Sequence, residues 1–250
     1  MSERAAPSAA DPSRRERNFY LAFLAVAVVA VAGGFLPKLQ TIFSGERAWP
    51  PFAVHLHAVL FYGWVGFLGL QVLLVRSRNL RRHRQMGYLG LGLAAAMVVV
   101  GSWMAVTMAG WHHARGDDGA LTFLPVPLTD MLIFAVVITA AGLLRRDSAA
   151  HKRLILLATT QLLGAGFGRM ALYRDPDTPW WPQAQHLLDL YGLLWVIMAA
   201  AVAFDLMTRG RPHRVFAFAI PFMLAVQVLA ASIMISPQWL PFAKGVLGLG

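Results

Sequence analysis

Apolar residues along this chain come in blocks, not in alternation. Seven runs stand out: Phe19–Pro37, Pro51–Val75, Gln85–Ala109, Leu128–Leu144, Leu154–Tyr173, Gln183–Met207 and Val215–Ser236. Each is near the roughly 20 residues that a helix needs to cross bilayer hydrocarbon. An open strand edge cannot be satisfied in lipid, and the runs lack the two-residue period of barrel strands, so they predict helices. Pro125 and Pro127 shorten the fourth run, and Pro221 predicts a kink in the seventh by removing a backbone hydrogen bond. The pattern predicts an all-α, seven-helix transmembrane bundle over residues 19–236. Residues 1–18 read as a polar, disordered lead and residues 237–250 as a short tail. The first run has no convincing small-residue cleavage site, which predicts a retained span.

A short phrase punctuates the blocks. His83-Arg84, His151-Lys152 and His213-Arg214 each open an apolar run, at spacings of 68 and 62 residues. Runs two and three, four and five, and six and seven then form three similar hairpins, each turning in a short basic loop. Small residues such as Gly90, Ala94, Gly164, Gly166 and Ala199 supply faces on which such helices pack, within the chain or against partner helices.

Charge sets a direction. Loops numbered alternately place four Lys/Arg in residues 4–17, five in 76–84, four in 145–153 and three in 209–214. The other side receives only Lys38, Arg47, Arg115, Arg169, Arg174 and Lys244, together with Trp49, Trp111, Trp180, Trp181 and Trp239. This asymmetry predicts a cytoplasmic N-terminus, an outer C-terminus and a bacterial inner-membrane location. Composition agrees: 58% hydrophobic, 14% charged and mean hydropathy +0.57. The net charge of +10 is a loop property of a membrane protein and does not predict a nucleic-acid partner. The absence of cysteine excludes disulfides, thiolate metal sites, iron–sulfur clusters and covalently attached haem.

Ionisable side chains inside spans are costly, so each is a functional candidate. An outer layer holds His55 and His57 on run two, Asp130 on run four, Arg169 on run five, and His186 and Asp189 on run six. His55 and His57 differ by about 200° around a helix, so at most one faces inward, and His57 lies deeper. His57, Asp130 and His186 stand 26, 21 and 27 residues before their phrases. A set of His57, Asp130, His186 and Asp189 suits a divalent metal. Two histidines on different helices suit haem b. A proton or substrate path, or simple helix capping with Arg169 pairing an aspartate, uses the same residues. An inner layer holds His83, His151 and His213 at helix starts, where the helix dipole favours the neutral imidazole that ligates metal. Anchoring to anionic headgroups is the alternative there. Gln71, Thr159, Thr160, Gln161 and Gln227 are the deeper polar residues and are expected to bond between helices. The loop carrying His112, His113, Asp117 and Asp118 reads as solvated. No Walker loop, GxSxG or HExxH motif is present, and no catalytic motif is recognisable.

The stretch AHKRLILLATTQLLGAGFGRM resembles the His-Lys-Arg-Leu-Met helix start of a small bacterial membrane family linked to cytochrome oxidase assembly. HAVLFYGWVGFLGLQVLLV followed by RRHRQMG is similar to hairpins of uncharacterised bacterial multispanning membrane proteins distantly resembling cytochrome b-type bundles. The resemblance implies interhelical histidines, here His57, His83 and His151, and a role near respiratory haem or copper chemistry. The chain departs from it by having more spans than the assembly family. It also lacks the paired histidines on one helix that mark diheme ferric-reductase bundles. Three functions follow as expectations. One is a haem- or metal-associated protein of respiratory electron transfer or oxidase assembly. The second is an accessory subunit packed against a respiratory membrane complex. The third is a small-molecule or ion transporter that enters through the outer His/Asp layer.

Overall fold

A computed structural model describes residues 12–45, 49–170 and 182–249. Arg4, Arg47, Tyr173, Arg174, Trp180 and Trp181 lie outside the described residues. Among the described residues nine helices follow one another: α1 (Pro12–Phe43), α2 (Phe52–Arg76), α3 (Leu80–His113), α4 (Gly119–Phe123), α5 (Pro125–Leu143), α6 (Ser148–Arg169), α7 (Pro182–Arg209), α8 (Arg214–Met234) and α9 (Trp239–Leu247). Among the described residues there is no strand. Six segments among the described residues are long and apolar enough to cross a membrane; they lie in α1, α2, α3, α4–α5, α7 and α8.

The expected fifth run, now α6, is not one of the six. At 22 residues it spans about 33 Å, which is long enough. It is polar because it is central. α6 packs against α1, α5, α7 and α8, and Thr159 accepts a 3.2 Å hydrogen bond from Trp64 Nε1 of α2. Over half of its residues are buried, including Arg153, Thr159, Thr160 and Gln161. A helix surrounded by protein can carry side chains that lipid would reject.

Two boundaries differ from expectation. Residues 12–18, read as part of a disordered lead, form the first turns of α1. The tail contains α9, whose Trp239 donates 2.9 Å to the Leu121 carbonyl and whose Lys244 pairs Asp118 at 2.6 Å.

The three basic loops are tight because each carries its own helix cap. Asn79 Oδ1 accepts from Arg82 N at 3.2 Å. Asp147 Oδ1 accepts from Ala149 N and Ala150 N at 3.1 and 3.0 Å. His213 Nδ1 accepts from Val215 N at 3.3 Å. These are the groups that satisfy orphan N–H donors at a helix start. The caps also resolve the phrase. His83 and His151 each sit four residues after a cap, whereas His213 is itself the cap. The third copy is therefore one turn out of register with the first two.

The small-residue faces work within the chain. A Cβ on Gly34 would collide with the Gly166 backbone, and one on Gly166 with the Ala30 carbonyl, so α1 and α6 cross where both residues must be glycine. Phe67 covers Gly90, and Leu194 packs over Gly164. Around the bundle, large apolar side chains face outward on almost every long helix, among them Val29, Val59, Val99, Leu132, Val196 and Phe218. A water-soluble protein does not expose such a belt.

Candidate functional site: a buried polar chain ending on Asp130

Four helices bring polar side chains together within the bundle. Trp195 Nε1 on α7 donates 2.7 Å to Gln227 Oε1 on α8. Gln227 Nε2 donates 2.9 Å to Gln161 Oε1 on α6. Gln161 Nε2 donates 2.7 Å to Asp130 Oδ1 on α5, which lies 3.5 Å from the Tyr191 hydroxyl of α7. Gln161 and Gln227 are fully buried. Each amide uses its oxygen and nitrogen on different neighbours, so both have a defined direction. A buried polar network of this kind fixes one arrangement of its helices, because any other leaves donors unpaired in a dry interior. The helices alternate in direction, which brings Asp130 early in α5, Gln161 late in α6, Tyr191 early in α7 and Gln227 late in α8 to one depth. Among the described residues Asp130 makes no ion pair; its partners are neutral donors.

A second polar cluster lies at the end carrying the basic loops. Arg153 Nε donates 2.8 Å to Asp205 Oδ2, and Arg153 Nη2 donates to Asp205 Oδ1. Both side chains are nearly inaccessible. The His213 backbone N–H adds 2.9 Å to Asp205 Oδ2, and Arg153 Nη1 donates 2.8 Å to the Ala149 carbonyl. Charge and hydrogen-bonding capacity are both matched. Burial, with Arg153 and Arg209 nearby, holds the His213 imidazole below its ordinary range.

The expected outer set is distributed as follows. His57 is half-buried and stacks on Phe61 with centroids 3.8 Å apart, while His55 is exposed. His57 Nδ1 is buried with no hydrogen-bond partner among the described residues. Asp130 belongs to the glutamine chain. Arg169 does not pair either aspartate; it donates to the Ala165 carbonyl at 2.6 Å and lies 4.6 Å over the Phe35 ring. Asp189 is half-buried and, two residues from Tyr191, projects to a different side of α7. His186 starts α7 with its side chain outside the described residues. Among the described residues no three His, Asp or Glu side chains converge as a metal site.

In the inner set, His83 and His151 approach with ring centroids 6.5 Å apart, and His213 stands apart from them as the α8 cap. His151 Nδ1 lies 2.8 Å from the Ala141 carbonyl. A carbonyl only accepts, so Nδ1 is the donor in this contact and Nε2 is the nitrogen left for another partner. His83 Nδ1 is buried without a partner among the described residues. Two imidazoles sharing one tetrahedral ion at about 2.0–2.1 Å Zn–N distances place their centroids roughly 5 Å apart, so the two rings stand farther apart than a shared ion holds them.

Gln161 and Gln227 were legible as interhelical bonds, but Tyr191 and Trp195 were not. The Arg153–Asp205 pair was also missed, since Arg153 reads as one more loop cation. Its signal was Asp205, an acid inside an apolar run that needs a cation from another helix.

The outward apolar belt, the six crossing-length helices and the enclosed polar chain define a multi-pass helical membrane protein. No protein-family model, curated protein or solved structure matches this chain.

Proposed function

We propose that this is a seven-span bacterial inner-membrane protein in which α6 is the seventh span, the N-terminus is cytoplasmic and the C-terminus is outside. Its working group is Asp130, which takes up and releases a proton during small-molecule or ion transport. One observation carries this reading. A carboxyl group within the Gly119–Leu143 crossing segment is bonded to neutral donors and joined to an amide chain through three further helices. Carboxylates at membrane depth that lack a structural cation partner are the groups that proton relays and ion paths use. Tyr191 and Gln161 donate to Asp130 whether or not it carries its proton, which keeps the site assembled through the cycle. Infrared difference spectra between acid and alkaline pH test this on detergent-purified protein. A reversible carboxyl C=O band that disappears in Asp130→Asn, with helicity kept, is the expected result. An identical band in Asp130→Asn would refute it.

A second reading rests on a different observation, the His83–His151 pair. A divalent metal or haem held there serves respiratory electron transfer or oxidase assembly, with His151 oriented through Ala141. Metal analysis and a reduced-minus-oxidised visible spectrum decide it. Stoichiometric metal or a Soret band that disappears in His151→Ala supports this reading, and neither signal in the wild type removes it.

A further inference from the structure

We infer that the cleft between α1, α6 and α7 at the basic end holds the phosphodiester headgroup of a singly charged anionic phospholipid. This cleft has a volume of about 360 Å³, and Glu16, Lys152, Arg153, Phe204, Thr208 and Arg209 are among its lining residues. Its charges do not cancel. Arg153 is matched by Asp205, and Lys152 pairs Glu16. That leaves Arg209, which is exposed and makes no ion pair among the described residues. The surplus is one positive charge. A lipid phosphodiester carries one fixed negative charge that this surplus matches, whereas free phosphate at neutral pH is a mixture of monoanion and dianion.

The walls favour the lipid as well. Phe204 stacks on Phe19 at 4.2 Å and forms an apolar side to the cleft. On the same end of α7, Leu206 and Met207 are 49% and 75% exposed, so apolar surface is available to an acyl chain at the depth of the cleft. Lys152 and Arg153 sit in the first turns of α6, at the end where the short loops concentrate Arg and Lys. That is the level of the headgroups in a membrane of this orientation.

Native mass spectrometry of the full chain in detergent, titrated with phosphatidylglycerol or phosphatidylcholine, tests the assignment. One phosphatidylglycerol should bind per chain in preference to phosphatidylcholine. Arg209→Gln should reduce that preference about fivefold, the loss of one interfacial charge. Arg211→Gln, in the loop beyond the cleft, serves as the control and should leave it unchanged, as should excess inorganic phosphate. Equal binding of the two lipids overturns the inference. So does an equal loss in both variants, which indicates diffuse attraction, or displacement by inorganic phosphate, which indicates a free-anion site.

Discussion

Asp205 and Asp130 are both acids held between helices, the first fully buried and the second partly so, and their partners differ. Asp205 faces a two-pronged guanidinium and a backbone N–H, so its charge and lone pairs are matched. Asp130 receives a glutamine and a tyrosine, neither of which carries charge. The first arrangement is complete and rigid, and removing either partner leaves the other stranded. The second sets no charge of its own against the acid. The difference shows why burial alone does not identify a functional acid. What identifies it is whether the surroundings have already settled its charge.

Breaking the complete pair should have the largest effect. Asp205→Ala leaves Arg153 buried without its counter-ion and should cost about 3–5 kcal/mol, measured by denaturation in detergent. Adding Arg153→Met to Asp205→Leu should recover most of that loss, because a packed apolar pair strands no charge. Asp130→Ala should cost less, about 1–3 kcal/mol, since it removes one acceptor from Gln161. Asp130→Asn keeps an acceptor oxygen and should stay within about 1 kcal/mol of wild type. Asp147→Ala removes the α6 cap beside the complete pair and should cost about 1 kcal/mol in the same assay.

The smallest effect comes from a third acid, outside the spans. Hydrogen bonds from Lys244 and His113 hold the Asp118 carboxyl below its ordinary range. Its folded pKa is depressed, so its contribution is present above the ordinary value of 3.8 and is lost as pH falls below it. Trp239 fluorescence should report α9 loosening over that window in wild type, with no such step in Asp118→Asn.

The apolar blocks made most of the helices legible, because lipid demands length and hydropathy that show in a single sequence. They were weakest at α6, where the surroundings are protein and the demand lapses. The candidate site was half legible. Asp130 stands out as an acid in an apolar run, and Gln161 and Gln227 as amides with nothing to bond on their own helices. Their convergence was not legible, since it depends on the rotation of four helices and on Tyr191 and Trp195, which read as ordinary aromatics. The histidine phrase overstated its equivalence. Spacing aligns His213 with His83 and His151, but capping places it one turn earlier on its helix.

On the proposed function, Asp130 exchanges a proton while Asp205 only holds the bundle together. Asp130→Asn and Asp205→Asn, compared side by side for the reversible infrared carboxyl band and for denaturation midpoint, test it most directly. Asp130→Asn should lose the band and keep the midpoint, and Asp205→Asn should keep the band and lower the midpoint. A band that survives in Asp130→Asn, or a midpoint that collapses there as far as in Asp205→Asn, would contradict it.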